Sequence, residues 1–259
     1  MSVTTYHLID ESIGVITLNR PKAANALSRE LLDELSEHIR LISQSPSIRC
    51  LIVTGAGHKA FCAGADLKER KEMTETQVMQ AVNYIGETIT ALENLPIPII
   101  AAINGAAYGG GLELALASDI RIAGNQAKLG LTETSLAIIP GAGGTQRLPR
   151  LIGPGQAKRL IYTGNPISAS EAYRLGLVEE ITEPENVIEK ATEMARKIAS
   201  NGPIAIRQAK LAIDAGMQVD IRTALRVEHL AYQNTIPTKD RIEGLTAFKE
   251  KRKPQFKGH

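Results

Sequence analysis

The sequence contains no tryptophan and few other aromatic residues, with three phenylalanines and six tyrosines among 259 residues. Isoleucine, leucine, valine and alanine must therefore fill the core of a chain that is 43% hydrophobic. A chain of this length can bury a large core as one globular unit. None of its apolar runs is long enough to cross a bilayer, so we expect no membrane association.

Cysteine is also scarce, because the chain has only Cys50 and Cys62. The two residues lack C-x-x-C spacing, and the five histidines are scattered along the chain. These patterns favour neither a zinc site nor a disulfide framework. We expect two buried free thiols in a reducing cytoplasm and no metal or other cofactor.

A strong charge of either sign is absent too. The chain has 30 basic and 28 acidic residues, interleaved, for a net charge of +2. A helix predicted over residues 74–95 contains three glutamates and no lysine or arginine. Because a basic surface is the usual means of binding nucleic acid, we expect no nucleic-acid partner.

Phosphate-binding motifs are incomplete. The glycines at 109 and 111 and those at 141 and 143 are followed by Leu114 and Gln146 where the dinucleotide fingerprint needs a third glycine. The stretch 55–59 is too short for a P-loop.

What the sequence does contain is an apolar strand at residues 99–103, a turn at 104–105, and three glycines at 109–111 that open a predicted helix. Glycines let a ligand approach the backbone, and the first amides of a helix are free to bind an anion. Two acids belong to this region: Glu113 in the first helical turn, and Glu133 ahead of a glycine-rich loop at 140–144. Either acid alone is most simply a cap or loop residue.

The other predicted elements surround this stretch. We expect a hairpin from residues 6–9 and 15–18, a helix capped by Ser28, a strand at 49–54, and short strands at 120–123 and 128–130. Helices are predicted towards the C-terminus at 156–162, 168–175, 187–199, 203–215, 222–233 and 239–251.

Three separated motifs carry a family resemblance: FCAGADLK at 61–68, NGAAYGGGLEL at 104–114 and IPGAGGTQRL at 139–148. Together they resemble the enoyl-CoA hydratase/isomerase (crotonase) family, and the similarity extends from residues 19–27 to residues 247–253. The resemblance implies an α/β fold, a crotonase (ClpP/crotonase-like) spiral of β-β-α turns with a C-terminal α-helical domain. It implies a core with the CoA and catalytic site over residues 1–200, and a helical trimerisation domain over residues 201–259. The implied assembly is a homo-hexamer, a dimer of trimers.

The resemblance also implies roles for four residues. The backbone amides of Ala65 and Gly110 would form an oxyanion hole, and Glu113 and Glu133 would be the catalytic acid–base pair. A helix N-terminus should favour ionised Glu113, whereas the apolar segment 131–139 should favour protonated Glu133.

CoA-binding residues follow from the same resemblance: Ala63, Ala65, Asp66, Leu67, Lys68 and Gly110, with Phe248 and Lys251 from the C-terminal helix of the same or a neighbouring subunit. Two simpler interpretations stay open. Lys68 is equally explained as a solvated lysine at a helix start, and Phe248 as a buried residue of an amphipathic helix.

The implied activity is hydration of a trans-2-enoyl-CoA in the cytoplasm, as in fatty-acid β-oxidation, since both acids are present. A second interpretation is 3-methylglutaconyl-CoA hydration, because TIPTKDR at 235–241 and the surrounding second half resemble that subgroup. Δ3,Δ2-Enoyl-CoA isomerisation comes next. A non-catalytic RNA-binding protein, as some relatives are described, is the alternative from another class. The acyl preference would depend on residues 73–84 and 135–136.

Overall fold

The computed structural model describes residues 2–259. Within that range the strands are, in chain order, β1 (Thr4–Ile9), β2 (Ile13–Leu18), β3 (Cys50–Gly55), β4 (Ala60–Cys62), β5 (Ile99–Ile103), β6 (Ala106–Tyr108), β7 (Ile120–Gly124), β8 (Lys128–Gly130), β9 (Ile167–Ser168) and β10 (Glu180–Thr182). The α-helices of the same range are α1 (Arg29–Ser43), α2 (Leu67–Arg70), α3 (Glu75–Glu93), α4 (Gly110–Leu116), α5 (Gly144–Ile152), α6 (Pro154–Thr163), α7 (Ala169–Arg174), α8 (Val187–Ala199), α9 (Pro203–Gly216), α10 (Ile221–Gln233) and α11 (Lys239–Glu250).

A repeated unit of two strands and a helical segment organises the first two thirds of the chain. The first strand of each unit (β3, β5, β7) joins a sheet of order β1-β2-β3-β5-β7-β10, and the second (β4, β6, β8) joins a sheet of order β4-β6-β8-β9. Successive units pair in parallel in both sheets, while β1 and β2 form the predicted antiparallel hairpin. The predicted spiral of β-β-α turns is therefore confirmed.

The larger sheet is buried on both faces, which explains why its central strands read as continuous apolar runs. Alternate residues of β3 face opposite sides. Leu51 and Val53 pack in the cluster that contains the apolar stripes of α1 and α3, whereas Cys50 and Ile52 pack with α8. Cys50 and Cys62 are buried free thiols, as predicted, and burial raises the pKa of each to about 12.

Three short elements beside the site, β4, β6 and α5, were not predicted from the sequence, and neither were α2, β9 and β10. The strands β4 and β6 span three residues each, too few for any periodicity to identify them. The helix α5 begins with glycines and contains Pro149, and both features argue locally against a helix. Each of the three lies directly beside the glycine loops described below.

The remaining helices were predicted to within a few residues. The helix α1 begins after Ser28, whose hydroxyl accepts a hydrogen bond from the Leu31 amide at 3.2 Å. The C-terminal helices α9, α10 and α11 match the predicted ranges, although their division from the core at residue 200 stays a prediction. None of the helices within residues 2–259 has the length and apolar character needed to span a membrane.

Large apolar side chains are exposed along these three last helices. Examples are Ile213, Met217, Ile221, Leu230, Leu245 and Phe248. Exposed large apolar side chains in this number are typical of helices that take part in an interaction.

The helix α9 is tied to the larger sheet by an ion pair. Lys210 Nζ lies 2.5 Å from Asp119 Oδ1, and its side chain is only 9% exposed. The second oxygen of Asp119 accepts a hydrogen bond from the Ile99 amide at 2.7 Å, where β5 begins. Asp214 lies farther from Lys210 Nζ, at 3.8 Å.

We therefore expect Asp119→Asn to lower the free energy of unfolding by roughly 3 kcal/mol, because it leaves Lys210 charged, buried and without its nearest partner. Urea denaturation at fixed protein concentration measures the change. As a control, Glu193→Gln breaks a solvent-exposed pair with Lys190 and should have no measurable effect. Equal effects of the two variants would contradict the anchoring role of Asp119.

Candidate active site

Two backbone loops meet at the centre of the site without side chains between them. A Cβ atom placed on Gly64 would lie 2.8 Å from the Tyr108 carbonyl oxygen and 3.1 Å from the Gly110 nitrogen. A Cβ atom on Gly110 would lie 3.7 Å from the Ala65 nitrogen. The amides of Ala65 and Gly110 therefore lie close together, as the sequence predicted, and only glycine fits at position 64.

The backbone geometry leaves both amides available. Gly109 has φ +50° and Gly64 has φ +90°, values that favour glycine. Gly110 is the first residue of α4, so its N–H has no partner within the helix. Within residues 2–259 neither the Ala65 nor the Gly110 amide donates a hydrogen bond. Two neighbouring free amides can bind an oxygen that carries negative charge.

Glu113 lies one helical turn along α4 and is 2% exposed. One of its carboxyl oxygens, Oε1, accepts hydrogen bonds from the amides of Ala142 and Gly144, each at 2.8 Å. Burial raises the pKa of Glu113, and these two amides and the charge of Arg147 offset part of that rise.

The structure corrects the predicted source of stabilisation for an ionised Glu113. The expected stabilisation came from the N-terminus of its own helix, α4. Instead the carboxyl group is directed to the loop before α5 and to Gly144, the first residue of that helix. The net pKa shift is upward, because burial outweighs the hydrogen bonds.

Glu133 faces Glu113 across this site from a short 3₁₀ turn, Glu133–Leu136. Its Oε1 lies 2.9 Å from where a Cβ on Gly109 would stand, and among residues 2–259 its buried Oε2 has no hydrogen-bond partner. Burial raises the pKa of Glu133 to about 7, and the neighbouring charge of Glu113 adds to the rise. The two carboxyl groups therefore differ in hydrogen bonding, and Glu133 is the more easily protonated of the two.

The predicted cause of this shift was wrong in part. Of the apolar residues near Glu133 in sequence, Leu131 is buried, but Leu136, Ile138 and Ile139 are exposed. The backbone of Gly109 lies close to the Glu133 carboxyl group, with room for no side chain between them.

A cavity of about 210 Å³ opens beside Ala65. Residues from the predicted range 73–84 line it, whereas Ser135 and Leu136 do not. Its wall includes Arg70, the last residue of α2, whose charge lowers the pKa of both Glu113 and Glu133 by less than burial raises them. The cavity and the carboxyl pair are therefore neighbouring parts of one site.

Part of the predicted CoA-binding segment, Ala65 and Asp66, lines this cavity. Ala63 is half-buried, and Leu67 and Lys68 are exposed. Asp66 is buried and caps α2 by accepting a hydrogen bond from the Lys68 amide at 3.0 Å. Burial alone would raise the pKa of Asp66, but the Arg20 guanidinium at 2.9 Å and backbone amides hold it below its ordinary value.

Within residues 2–259 no backbone hydrogen bond joins Phe248 or Lys251 to this segment. Phe248 is 86% exposed, which corrects the interpretation of a buried Phe248; Ala247 is the buried residue at that turn of α11. Lys251 ends the helix with φ +55°. Their contact with CoA stays a prediction.

Two arginines were missed as site residues. Arg147 donates to the Ala142 carbonyl oxygen at 2.8 Å and pairs with Glu93 of α3, so it holds the loop whose amides bind Glu113. Arg70 lines the cavity. Arg147 belongs to the family motif at 139–148, whereas Arg70 belongs to none of the three motifs. The sequence around each arginine does not indicate which residues it contacts.

A metal site is not found in the part of the chain described here. Within residues 2–259 no group of three or more His, Cys, Asp and Glu side chains lies together so as to hold a metal ion.

Comparison with known proteins identifies the family. A profile of the family described as Enoyl-CoA hydratase/isomerase matches residues 9–259. The chain is 59% identical over 249 residues to YngF of Bacillus subtilis, provisionally described as an enoyl-CoA hydratase/isomerase, with 96% of each chain covered. It is 48% identical over 258 residues to human mitochondrial methylglutaconyl-CoA hydratase, covering 97% of this chain and 76% of that one.

A solved structure agrees with the sequence relatives. The crystal structure of an enoyl-CoA hydratase from Bacillus anthracis superimposes with a TM-score of 0.98 at 57% identity, covering 99% of this chain and 100% of that one. The predicted crotonase fold with its C-terminal helical region is thus confirmed, and the chain belongs to the enoyl-CoA hydratase/isomerase (crotonase) family.

Proposed function

We propose that this protein is an enoyl-CoA hydratase, which adds water syn across the C2=C3 bond of a trans-2-enoyl-CoA to give a 3-hydroxyacyl-CoA. The observation that carries the proposal is the pair Glu113 and Glu133 beside two free amides. Members that only move a double bond need fewer acids, so the pair favours hydration over Δ3,Δ2-isomerisation.

The amides of Ala65 and Gly110 would bind the thioester oxygen. When water attacks C3, the electron pair of the C2=C3 bond moves towards C1 and the thioester oxygen becomes an enolate oxygen. Two amides directed at that oxygen stabilise the transition state more than the substrate.

The two carboxyl groups would divide the proton transfers. Ionised Glu113 takes a proton from water as its oxygen bonds to C3, and neutral Glu133 gives a proton to C2 as the enolate collapses. The turnover leaves Glu113 protonated and Glu133 ionised, so a proton must pass between them before the next cycle. Neither a metal nor an organic cofactor is required.

A second candidate is hydration of 3-methylglutaconyl-CoA. The observation that favours it is the 48% identity, over nearly the whole chain, to a human protein of that name. An RNA-binding role has less support, since α3 contains no lysine or arginine between residues 75 and 93.

CoA contacts and assembly are further parts of the proposal. Ala63 and the segment 65–68, with Gly110, would bind the CoA moiety, and Phe248 and Lys251 would close on its adenosine end from a neighbouring copy. The exposed apolar face of α9, α10 and α11 supports contact between copies, as in the expected hexamer. A cytoplasmic location and a place in β-oxidation stay predictions.

The first test is the loss of ultraviolet absorbance when purified protein is added to crotonyl-CoA. We expect rapid loss with the wild type and a decrease in kcat of at least about 100-fold for Glu133→Gln, because an amide cannot protonate C2. Glu30→Gln, an exposed acid on α1, serves as the control and should match the wild type. Turnover by Glu133→Gln near the wild-type rate would exclude Glu133 as the acid.

A second prediction concerns the oxyanion site. In Gly110→Ala the new Cβ would lie beside the Ala65 nitrogen and 3.2 Å from the flexible end of Leu27. We expect the variant to fold, with a change in unfolding free energy of about 1 kcal/mol, but to lose about 100-fold or more in hydration rate.

Gly111→Ala provides the contrast, because its Cβ would meet the Cys62 carbonyl oxygen, a backbone atom that cannot move aside. It should lose more than about 3 kcal/mol of stability. Urea denaturation and the crotonyl-CoA assay together separate the two effects. A fully active Gly110→Ala would argue against this position for the oxyanion.

The third prediction is a pH profile. Because the pKa of Glu133 is raised to about 7, its carboxyl is neutral below that pH and ionised above it. We expect kcat/KM for crotonyl-CoA to fall about tenfold per pH unit above pH ~7 as the acid form is lost. A value independent of pH between 6 and 9 would contradict the assignment of Glu133 as the acid.

A further inference from the structure

The guanidinium of Arg70 is a cation in the wall of the cavity. Its side chain is half-buried, and within residues 2–259 its buried Nε has no hydrogen-bond partner. Most of its neighbours around the cavity are apolar or uncharged, including Met73 and Ile85. Of the carboxylates that line the cavity, Asp66 pairs with Arg20, and Glu69 accepts a hydrogen bond from the Arg29 amide. A guanidinium stays protonated even when burial lowers its pKa, so this side chain presents positive charge to the cavity.

The nearby carboxyl groups leave that charge without a direct partner. The charges of Glu113 and Glu133 raise the pKa of Arg70, but burial lowers it more. Glu113 is already bound by the Ala142 and Gly144 amides, and Glu133 is neutral in the proposed reaction. A buried polar group without a partner is unfavourable, and an anionic ligand would relieve that cost.

The position of Arg70 favours an anion on the acyl group, rather than a phosphate of CoA, as its partner. Arg70 shares the cavity with Ala65, whose amide is the proposed partner of the thioester oxygen. Its buried Nε contrasts with the exposed Lys68, two residues earlier in α2. The cavity, at about 210 Å³, is also smaller than the usual site for a drug-sized ligand. These features point to a short acyl chain with a negative charge near its far end.

We propose that Arg70 binds the distal carboxylate of a short dicarboxylic enoyl thioester and so makes the protein selective for carboxylated over uncharged acyl groups. This inference rests on the proposed hydratase function and names its substrate class. Arginine suits the role because its planar fork can hold a carboxylate by two parallel hydrogen bonds. The second candidate substrate, 3-methylglutaconyl-CoA, belongs to this class.

The test compares binding of two saturated thioesters that cannot be hydrated, glutaryl-CoA with a distal carboxylate and butyryl-CoA without one. Isothermal titration calorimetry gives the two dissociation constants for each variant. We expect the wild type to prefer glutaryl-CoA. Arg70→Met should weaken glutaryl-CoA binding by about 10- to 100-fold and change butyryl-CoA binding less than about threefold.

Two further variants sharpen the comparison. Arg70→Lys keeps the charge without the planar fork and should retain part of the preference. Lys71→Met removes an exposed cation from the adjacent position and should leave both dissociation constants unchanged. Circular dichroism checks that each variant is folded.

The outcomes separate this inference from the proposed function. No preference of the wild type for glutaryl-CoA, or equal weakening of both ligands in Arg70→Met, would overturn the role of Arg70 even if crotonyl-CoA is hydrated. Conversely, an Arg70-dependent preference in a protein that hydrates neither crotonyl-CoA nor 3-methylglutaconyl-CoA would uphold the binding site and refute the hydratase function.

Discussion

The close approach of two backbone loops is the constraint on which the site depends. Gly64 lies against Tyr108 and Gly110, and a Cβ on Gly111 would overlap the Cys62 carbonyl. This contact joins the end of β4 to the end of β6, which are neighbouring parallel strands from successive units of the spiral. Because carboxyl ends of parallel strands meet at one edge of a sheet, repetition of the unit brings the two amides together.

The two glutamates show how one site can give similar side chains different proton affinities. Glu113 is buried and Glu133 is half-buried, and burial alone raises the pKa of each. Glu113 receives two backbone hydrogen bonds, whereas the buried Oε2 of Glu133 receives none within residues 2–259. The loop before α5 therefore creates the asymmetry that acid–base chemistry at neutral pH requires.

Much of this arrangement was predictable from the sequence, and the elements and residues that were not predicted have identifiable physical reasons. Long elements such as α1 and β3 carry clear periodicity, and the glycine motifs together indicated the family. The strands β4 and β6 and the helix α5 carry no such signal, and the roles of Arg70 and Arg147 depend on residues far away in sequence. The exposure of Phe248 could not be predicted either, since its spacing in α11 fits a buried residue equally well.

The pairing of Arg147 with Glu93 has a mechanical consequence. Glu93 ends α3, and an earlier part of the same helix forms one wall of the cavity. Through Arg147, that helix is linked to the Ala142 carbonyl and hence to the loop that orients Glu113. A displacement of α3 would therefore also reach the backbone amides that hydrogen-bond to Glu113. The cavity wall and the orientation of the Glu113 carboxyl are thus connected through the side chain of Arg147.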